Sequence, residues 1–296
     1  MSTDRVQSNP LDELEIEVDF MNVDGTDFGS FSPAEQIRHL EVEGYVVLPE
    51  LLDAHLVQRL RDELADLPVR AKNYSEYIVT SDSQQPQWHS RAAAELIGHP
   101  PLIDFLTDLM GPDIIFTRGF YTHAMQGAPS ISMHTDGQPY GSSIFDYEGS
   151  SPRLLRVLYY LDDLTPERAP LRVVPRSHLS YHADGNPYNR YLSHPGEKTI
   201  CVKAGSAVLF PVELFHATHP NLDPEPRRLI QYGYRPAWAG PIADVPEWNP
   251  DLVANAPEAA KPFLRSPNTT GKAWEQSNKP TGMKHGAPGI NPSRWG

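Results

Sequence analysis

Apolar positions change their period along this chain of 296 residues, and the change divides it into parts. Residues 1–30 carry charge and glycine with no sustained period, which predicts a solvated arm or a segment that orders only on contact. At Ser32-Pro33-Ala34-Glu35 a capping hydroxyl, a proline at the first helical position and a glutamate three residues after the cap predict a helix start. Gly44-Tyr45-Val46-Val47-Leu48-Pro49 reads as a strand bounded by glycine and proline, and Leu52, Leu56, Leu60, Leu64 and Leu67 recur at helical spacing. A further helix is expected over 92–110, stopped by Gly111-Pro112. From residue 114 the pattern shortens to β-branched and aromatic runs at 114–122, 130–136, 154–161, 171–174, 199–203, 206–210 and 228–235. Seven or more strands without intervening helices favour a sandwich, barrel or jelly roll. Beyond Pro236 the chain is rich in proline, glycine and asparagine yet keeps Trp238, Trp248, Trp274 and Trp295, so this tail is expected to wrap its own domain or a neighbouring subunit. The organisation read from the pattern is an acidic arm (1–30), one mainly β domain with flanking helices (31–240) and an irregular tail (241–296).

Charge narrows the partners. With 25 basic and 38 acidic side chains the net charge is −13, a field that repels nucleic acid and anionic membrane surfaces. No apolar run approaches the ~20 residues that span a bilayer. The opening residues lack the apolar core of a signal peptide, and one cysteine, Cys201, cannot form an internal disulfide, so the cytoplasm is the expected compartment. Cys201 lies in the alternating stretch Thr199-Ile200-Cys201-Val202-Lys203 and reads as a buried structural thiol. A small-molecule substrate and a monomer or homodimer fit this balance.

The chemistry-bearing residues begin with Ile131-Ser132-Met133-His134-Thr135-Asp136. Residues two apart on a strand share a face, so His134 and Asp136 can reach one ion. A second His-x-Asp triplet, His182-Ala183-Asp184, sits among turn formers, where a shared face is not expected. A third ligand can come from His216, which closes the apolar run Val208–Phe215, with His219 as its competitor; the run gives His216 the firmer support. Two histidines and a carboxylate on one face, with open positions opposite, are the donor set of non-haem iron(II) oxygenases.

In register with this set, Gly44–Pro49, His134–Asp136, the hairpin Ala169-Pro170-Leu171-Arg172-Val173-Val174-Pro175-Arg176-Ser177-His178 and the stretch Gly205–Arg228 together resemble the phytanoyl-CoA dioxygenase family across residues 32–238. The resemblance implies a double-stranded β-helix, a jelly-roll relative of the cupins. It also implies hydroxylation of an unactivated C–H bond, with iron(II), 2-oxoglutarate and O2 consumed and succinate and CO2 released. In that family an arginine eleven residues after the distal histidine binds the far carboxylate of 2-oxoglutarate, which points to Arg227, with Arg228 as the fallback; a hydroxyl two residues after the histidine points to Thr218. A fork of permanent charge suits a carboxylate better than a lysine does. The aspartate at 136, where halogenating relatives carry a small residue, indicates the hydroxylating type. One departure is Arg176, where the family hairpin carries glycine; its side chain is a candidate for substrate contact or a tolerated turn residue. Trp88, Gln138 and Tyr140, with Tyr74 and Tyr77, are candidates for the substrate pocket because loops beside a rigid site shape binding. Two alternatives stand beside this reading: a cupin-like metalloenzyme that does not use 2-oxoglutarate, and a non-catalytic family member acting as a binding protein.

Overall fold

In a computed structural model of the chain, the structure describes residues 21–67, 70–72, 80–136, 154–179, 194–241 and 244–271. Among them are eleven strands: β1 (Val46–Leu48), β2 (Arg70–Lys72), β3 (Thr80–Gln84), β4 (Ile114–Ala124), β5 (Ile131–His134), β6 (Leu155–Tyr160), β7 (Leu171–Val173), β8 (Lys198–Ile200), β9 (Ala207–Pro211), β10 (His216–Thr218) and β11 (Arg227–Pro236). They form a seven-stranded sheet, ordered β1-β9-β6-β11-β4-β3-β2, and a four-stranded sheet, ordered β5-β10-β7-β8. Neighbouring strands are antiparallel throughout. This is the jelly-roll architecture the strand spacing predicts.

Helices α1 (Pro33–Glu43), α2 (Ala54–Glu63), α3 (Arg91–Leu96) and α4 (Pro100–Met110) precede the strand-rich part, and α5 (Pro250–Ala254) follows it. The capping box at α1 forms as the sequence predicts: Ser32 Oγ accepts from the Glu35 amide, and Glu35 accepts from the Ser32 amide at 2.8 Å. The helix expected over 92–110 is two helices. Pro100 lacks the amide a continuous helix would need, and Gly98 lies so close to the Ala259 carbonyl that a Cβ there would sit 1.8 Å from its oxygen. Alternation along β11 directs Tyr232 and Tyr234 away from the small sheet, where their hydroxyls donate to the carbonyls of Ala93 (2.6 Å) and Ile97 (3.1 Å) and tie α3 to the large sheet. Leu60, Leu64, Leu96, Ile97, Leu102 and Phe116 complete this apolar layer.

Both ends of the described chain dock on the domain. Residues 21–30, read from the sequence as part of a solvated arm, instead extend the small sheet: the Thr199 amide donates to Asn22 O and the Asp24 amide to Thr199 O, and Phe28 packs edge-on against His39 and Tyr45. At the other end Trp248 stacks on Phe116 and meets Trp88 edge-on, while buried Arg235 donates to the carbonyls of Pro267 and Thr269. Cys201, expected to be buried, is half-buried just beyond β8, and burial pushes its thiol up to about 11. No helix among the described residues is long and apolar enough to cross a membrane.

Candidate metal centre

The small sheet brings together two positions 82 residues apart, because β10 pairs with β5 so that His216 lies directly opposite His134. Their rings are 4.3 Å apart, centre to centre. In each ring Nδ1 is engaged locally, by Ser132 O at 2.7 Å and by Leu214 O at 3.0 Å. A carbonyl accepts only, so Nδ1 carries the proton and each Nε2 keeps its lone pair. Asp136 lies two residues past His134, its amide donating to Val212 O at 3.0 Å. Its Oδ1 is 3.7 Å from Nε2 of His134 and 3.8 Å from Nε2 of His216, and ligand atoms of the three residues all lie within 4.8 Å of one another. Its other oxygen accepts from Arg156 Nε at 2.7 Å.

Electrostatics keep this donor set ready for a cation. Burial pushes His216 down to about 4, so its imidazole is neutral at physiological pH. Burial alone would raise the Asp136 carboxyl, but His216, Arg156 and His134 outweigh it and hold the group well below the usual carboxylate range. At His134 burial acts downward and the Asp136 carboxylate reverses it. Two imidazole Nε2 atoms and one carboxylate oxygen facing a common point, with each Nδ1 held by a carbonyl and the other Asp136 oxygen held by Arg156, fit an octahedral metal that leaves positions open.

The centre opens into a cavity of ≈ 200 Å³ between the sheets. Its floor is the inner face of β4, β6 and β11, where alternation presents Arg227, Leu229 and Gln231 from β11, Leu158 and Tyr160 from β6, and Phe120 and Thr122 from β4. The same alternation separates two adjacent arginines. Arg227 faces the cavity, 2% exposed, its Nε without a partner among the described residues. Arg228 turns the other way and pairs two-point with Asp162, at 2.6 and 3.0 Å, so of these two neighbours it is Arg227 that lines the cavity. Thr218 also lines it, its hydroxyl accepting from the Ile131 amide at 3.2 Å.

Other candidates fall elsewhere. His219 is buried against Thr199 (3.2 Å) and is not part of the cluster. Trp88 packs on Trp248 and does not line this cavity. Arg176 pairs two-point with Glu43 in a left-handed backbone conformation, φ 66°, the conformation that suits the family's glycine. Gln138, Tyr140, Tyr74, Tyr77, His182 and Asp184 lie outside the described residues. The hairpin motif has a positioning role instead: Ser177 Oγ donates to Val174 O and accepts from the Phe215 amide at 2.9 Å, fixing the residue before His216. Gly44 is required beneath it, since a Cβ there would sit 2.4 Å from His178 Nδ1. Sequence reasoning missed Arg156. A single charge inside the apolar strand Leu154–Leu161 was the available signal, because such a charge must face a partner.

Comparison with known proteins gives a family and a fold. The model of a family described as phytanoyl-CoA dioxygenase (PhyH) matches residues 40–229. The protein is 25% identical over 224 residues to Dioxygenase andF of Emericella variicolor, covering 71% of this chain and 77% of that protein. A 24% identity over 213 residues relates it to Dioxygenase trt7 of Aspergillus terreus, 67% of this chain and 71% of that one. In fold it resembles the epimerase SnoN, solved with Fe3+, alpha ketoglutarate and nogalamycin RO (TM-score 0.61, 20% identity, 81% of this chain and 96% of that one). It also resembles HygX from Streptomyces hygroscopicus, solved with nickel, 2-oxoglutarate and hygromycin B (TM-score 0.58, 18% identity, 74% and 93%).

Proposed function

The chain belongs to the phytanoyl-CoA dioxygenase family, and on that premise we propose that it is an iron(II)- and 2-oxoglutarate-dependent oxygenase that hydroxylates an unactivated C–H bond of a small molecule, releasing succinate and CO2. The observation that carries this reading is the convergence of His134 Nε2, Asp136 Oδ1 and His216 Nε2 on one point beside a cavity that also holds Arg227. His134, Asp136 and His216 would hold the iron. Arg227 would pair with the far carboxylate of 2-oxoglutarate, and Thr218 would offer that carboxylate a hydroxyl. Bound iron, with 2-oxoglutarate and O2, supplies the oxidising power that no side chain has. The protein's own part is orientation and partial exclusion of water: Leu158, Leu229 and Phe120 give the floor apolar surface between its polar side chains, Arg156 fixes Asp136, and the Nδ1 bonds fix both rings. Arg227 argues against the reading in which 2-oxoglutarate plays no part, and an intact donor set argues against a purely binding role.

The test is anaerobic addition of iron(II) and 2-oxoglutarate, which should give a weak visible charge-transfer band that Arg227→Ala loses at the same 2-oxoglutarate concentration. Absence of any band in the unaltered protein would refute the reading. Solved proteins of this fold include the carbocyclase SnoK and the epimerase SnoN, so the outcome of the oxidation needs its own measurement. Product formed under 18O2 should carry one labelled oxygen, and loss of two hydrogens without label would indicate ring closure or desaturation.

A further inference from the structure

Asp136 is the one candidate ligand with two chemically equivalent donor atoms, and the structure treats them differently. Oδ1 lies 3.7 Å from Nε2 of His134 and 3.8 Å from Nε2 of His216, whereas Oδ2 accepts from Arg156 Nε at 2.7 Å. The residue sits just beyond the end of β5, its backbone held by the amide bond to Val212 O. Rotation about the last torsion of an aspartate is soft and nearly twofold, so the backbone alone does not decide how many of its oxygens turn to a cation.

Arg156 decides it. It comes from β6, which is paired along both edges, with Gly233 of β11 opposite on one side and Phe210 of β9 on the other. The Phe210 ring packs on His216, 4.7 Å centre to centre, so two facing positions of the large sheet reach two of the three ligands. Arg156 is 4% exposed, and among the described residues its one hydrogen bond runs from Nε to Asp136, while its Nη1 is buried without a partner. Turning Oδ2 to a metal would break that bond and leave a second nitrogen of a buried guanidinium unsatisfied, which costs more than stranding a neutral donor.

We propose that Arg156 is a positioning residue that restricts Asp136 to ligation through one oxygen and so keeps a metal position open for O2. This rests on the reading of the centre as an iron and 2-oxoglutarate site. In an octahedral shell the three side chains and a chelating 2-oxoglutarate leave a single position, and a second aspartate oxygen would fill it. What matters is a donor at the reach of Nε. Glutamine carries its amide nitrogen equally far along the side chain, whereas methionine carries a sulfur there, which cannot donate.

The experiment uses full-length protein without oxygen, with iron(II) and 2-oxoglutarate at concentrations that saturate the charge-transfer band of each variant. Nitric oxide, which binds iron(II) where O2 would and does not turn over, is titrated in and the iron–nitrosyl signal followed by electron paramagnetic resonance. Arg156→Met should need about tenfold more nitric oxide for half-saturation, the scale of one charged hydrogen bond. Arg156→Gln, which restores a donor without the charge, should stay within about threefold of the unaltered protein. An unchanged affinity in Arg156→Met, or a glutamine variant no better than the methionine one, would overturn the proposal. Should Arg156→Met fail to fold, a crystal structure of the unaltered protein with manganese(II) and 2-oxoglutarate decides: Oδ2 is expected on Arg156 Nε and off the metal, and both oxygens on the metal would overturn the proposal. A protein that binds manganese(II) with Oδ2 still on Arg156 but never gives the charge-transfer band with iron(II) and 2-oxoglutarate would refute the cosubstrate reading and leave the role of Arg156 in one-oxygen ligation standing.

Discussion

The four-stranded sheet positions all three candidate ligands on or just beyond strands of three or four residues, whereas the seven-stranded sheet, with strands of up to eleven, holds none of them and supplies Arg118, Arg156 and Arg227. A strand that short has too few ladder bonds to fix a ligand by itself. The small sheet is therefore pinned by side chains and loops: Ser177 on the Phe215 amide, Asp136 N on Val212 O, and both imidazoles on their own backbone. The large sheet needs no such pins, since β11 is paired along both edges, and it can bury the Arg156 and Arg227 side chains against a cavity. Arg156 joins the two regions, rooted in one and bonded to a ligand of the other.

Breaking the small sheet's contribution should have the largest effect. Ala at His134, Asp136 or His216 should abolish turnover, and continued 2-oxoglutarate decarboxylation in all three variants would mean the ligand set is wrong. Next in size, Arg227→Ala should raise the apparent KM for 2-oxoglutarate by about tenfold or more with the fold intact. Its neighbour should behave in the opposite way: Arg228→Ala removes a two-point partner from buried Asp162, so the melting temperature should drop while the KM holds. A raised KM in Arg228→Ala would reverse the assignment. Cutting the link between the sheets with Arg156→Met should weaken metal binding by about 10–100-fold, the usual cost of losing an outer-shell partner, and an unchanged metal affinity would show that the Arg156 contact does not position Asp136. The smallest effect belongs to Arg176→Gly. It trades an exposed ion pair worth about 0–1 kcal/mol for relief of a left-handed backbone, so turnover should be unchanged and thermal unfolding should shift little in either direction. A clear fall in turnover would return Arg176 to the list of substrate contacts.

What was legible in the sequence follows from what each signal encodes. Short β-branched and aromatic runs marked every strand of the core that carries a site residue except β10, whose three residues are too few to stand out. The two ligands on one strand were visible because spacing two is a local property. The choice of His216 over His219 rested on the apolar run that precedes it, and that of Arg227 over Arg228 on the register of the family resemblance; in the structure His219 turns to Thr199 and Arg228 to Asp162. The break between α3 and α4 was half-visible in Gly98 and Pro100; the Ala259 carbonyl that packs on the glycine arrives from 161 residues away and leaves no local trace. Arg156 left one local trace, a lone charge inside an apolar strand, but its partner Asp136 is apparent only once the two sheets face each other.

The central claim is a location: one metal ion bound by two neighbours on a short strand segment and a third residue from the strand beside it. Crystals grown without oxygen in manganese(II) and 2-oxoglutarate, with anomalous differences measured at the manganese edge, test it directly. The account predicts a single strong peak bounded by His134 Nε2, Asp136 Oδ1 and His216 Nε2. A peak held by other side chains, with these three left in contact only with one another, would contradict it.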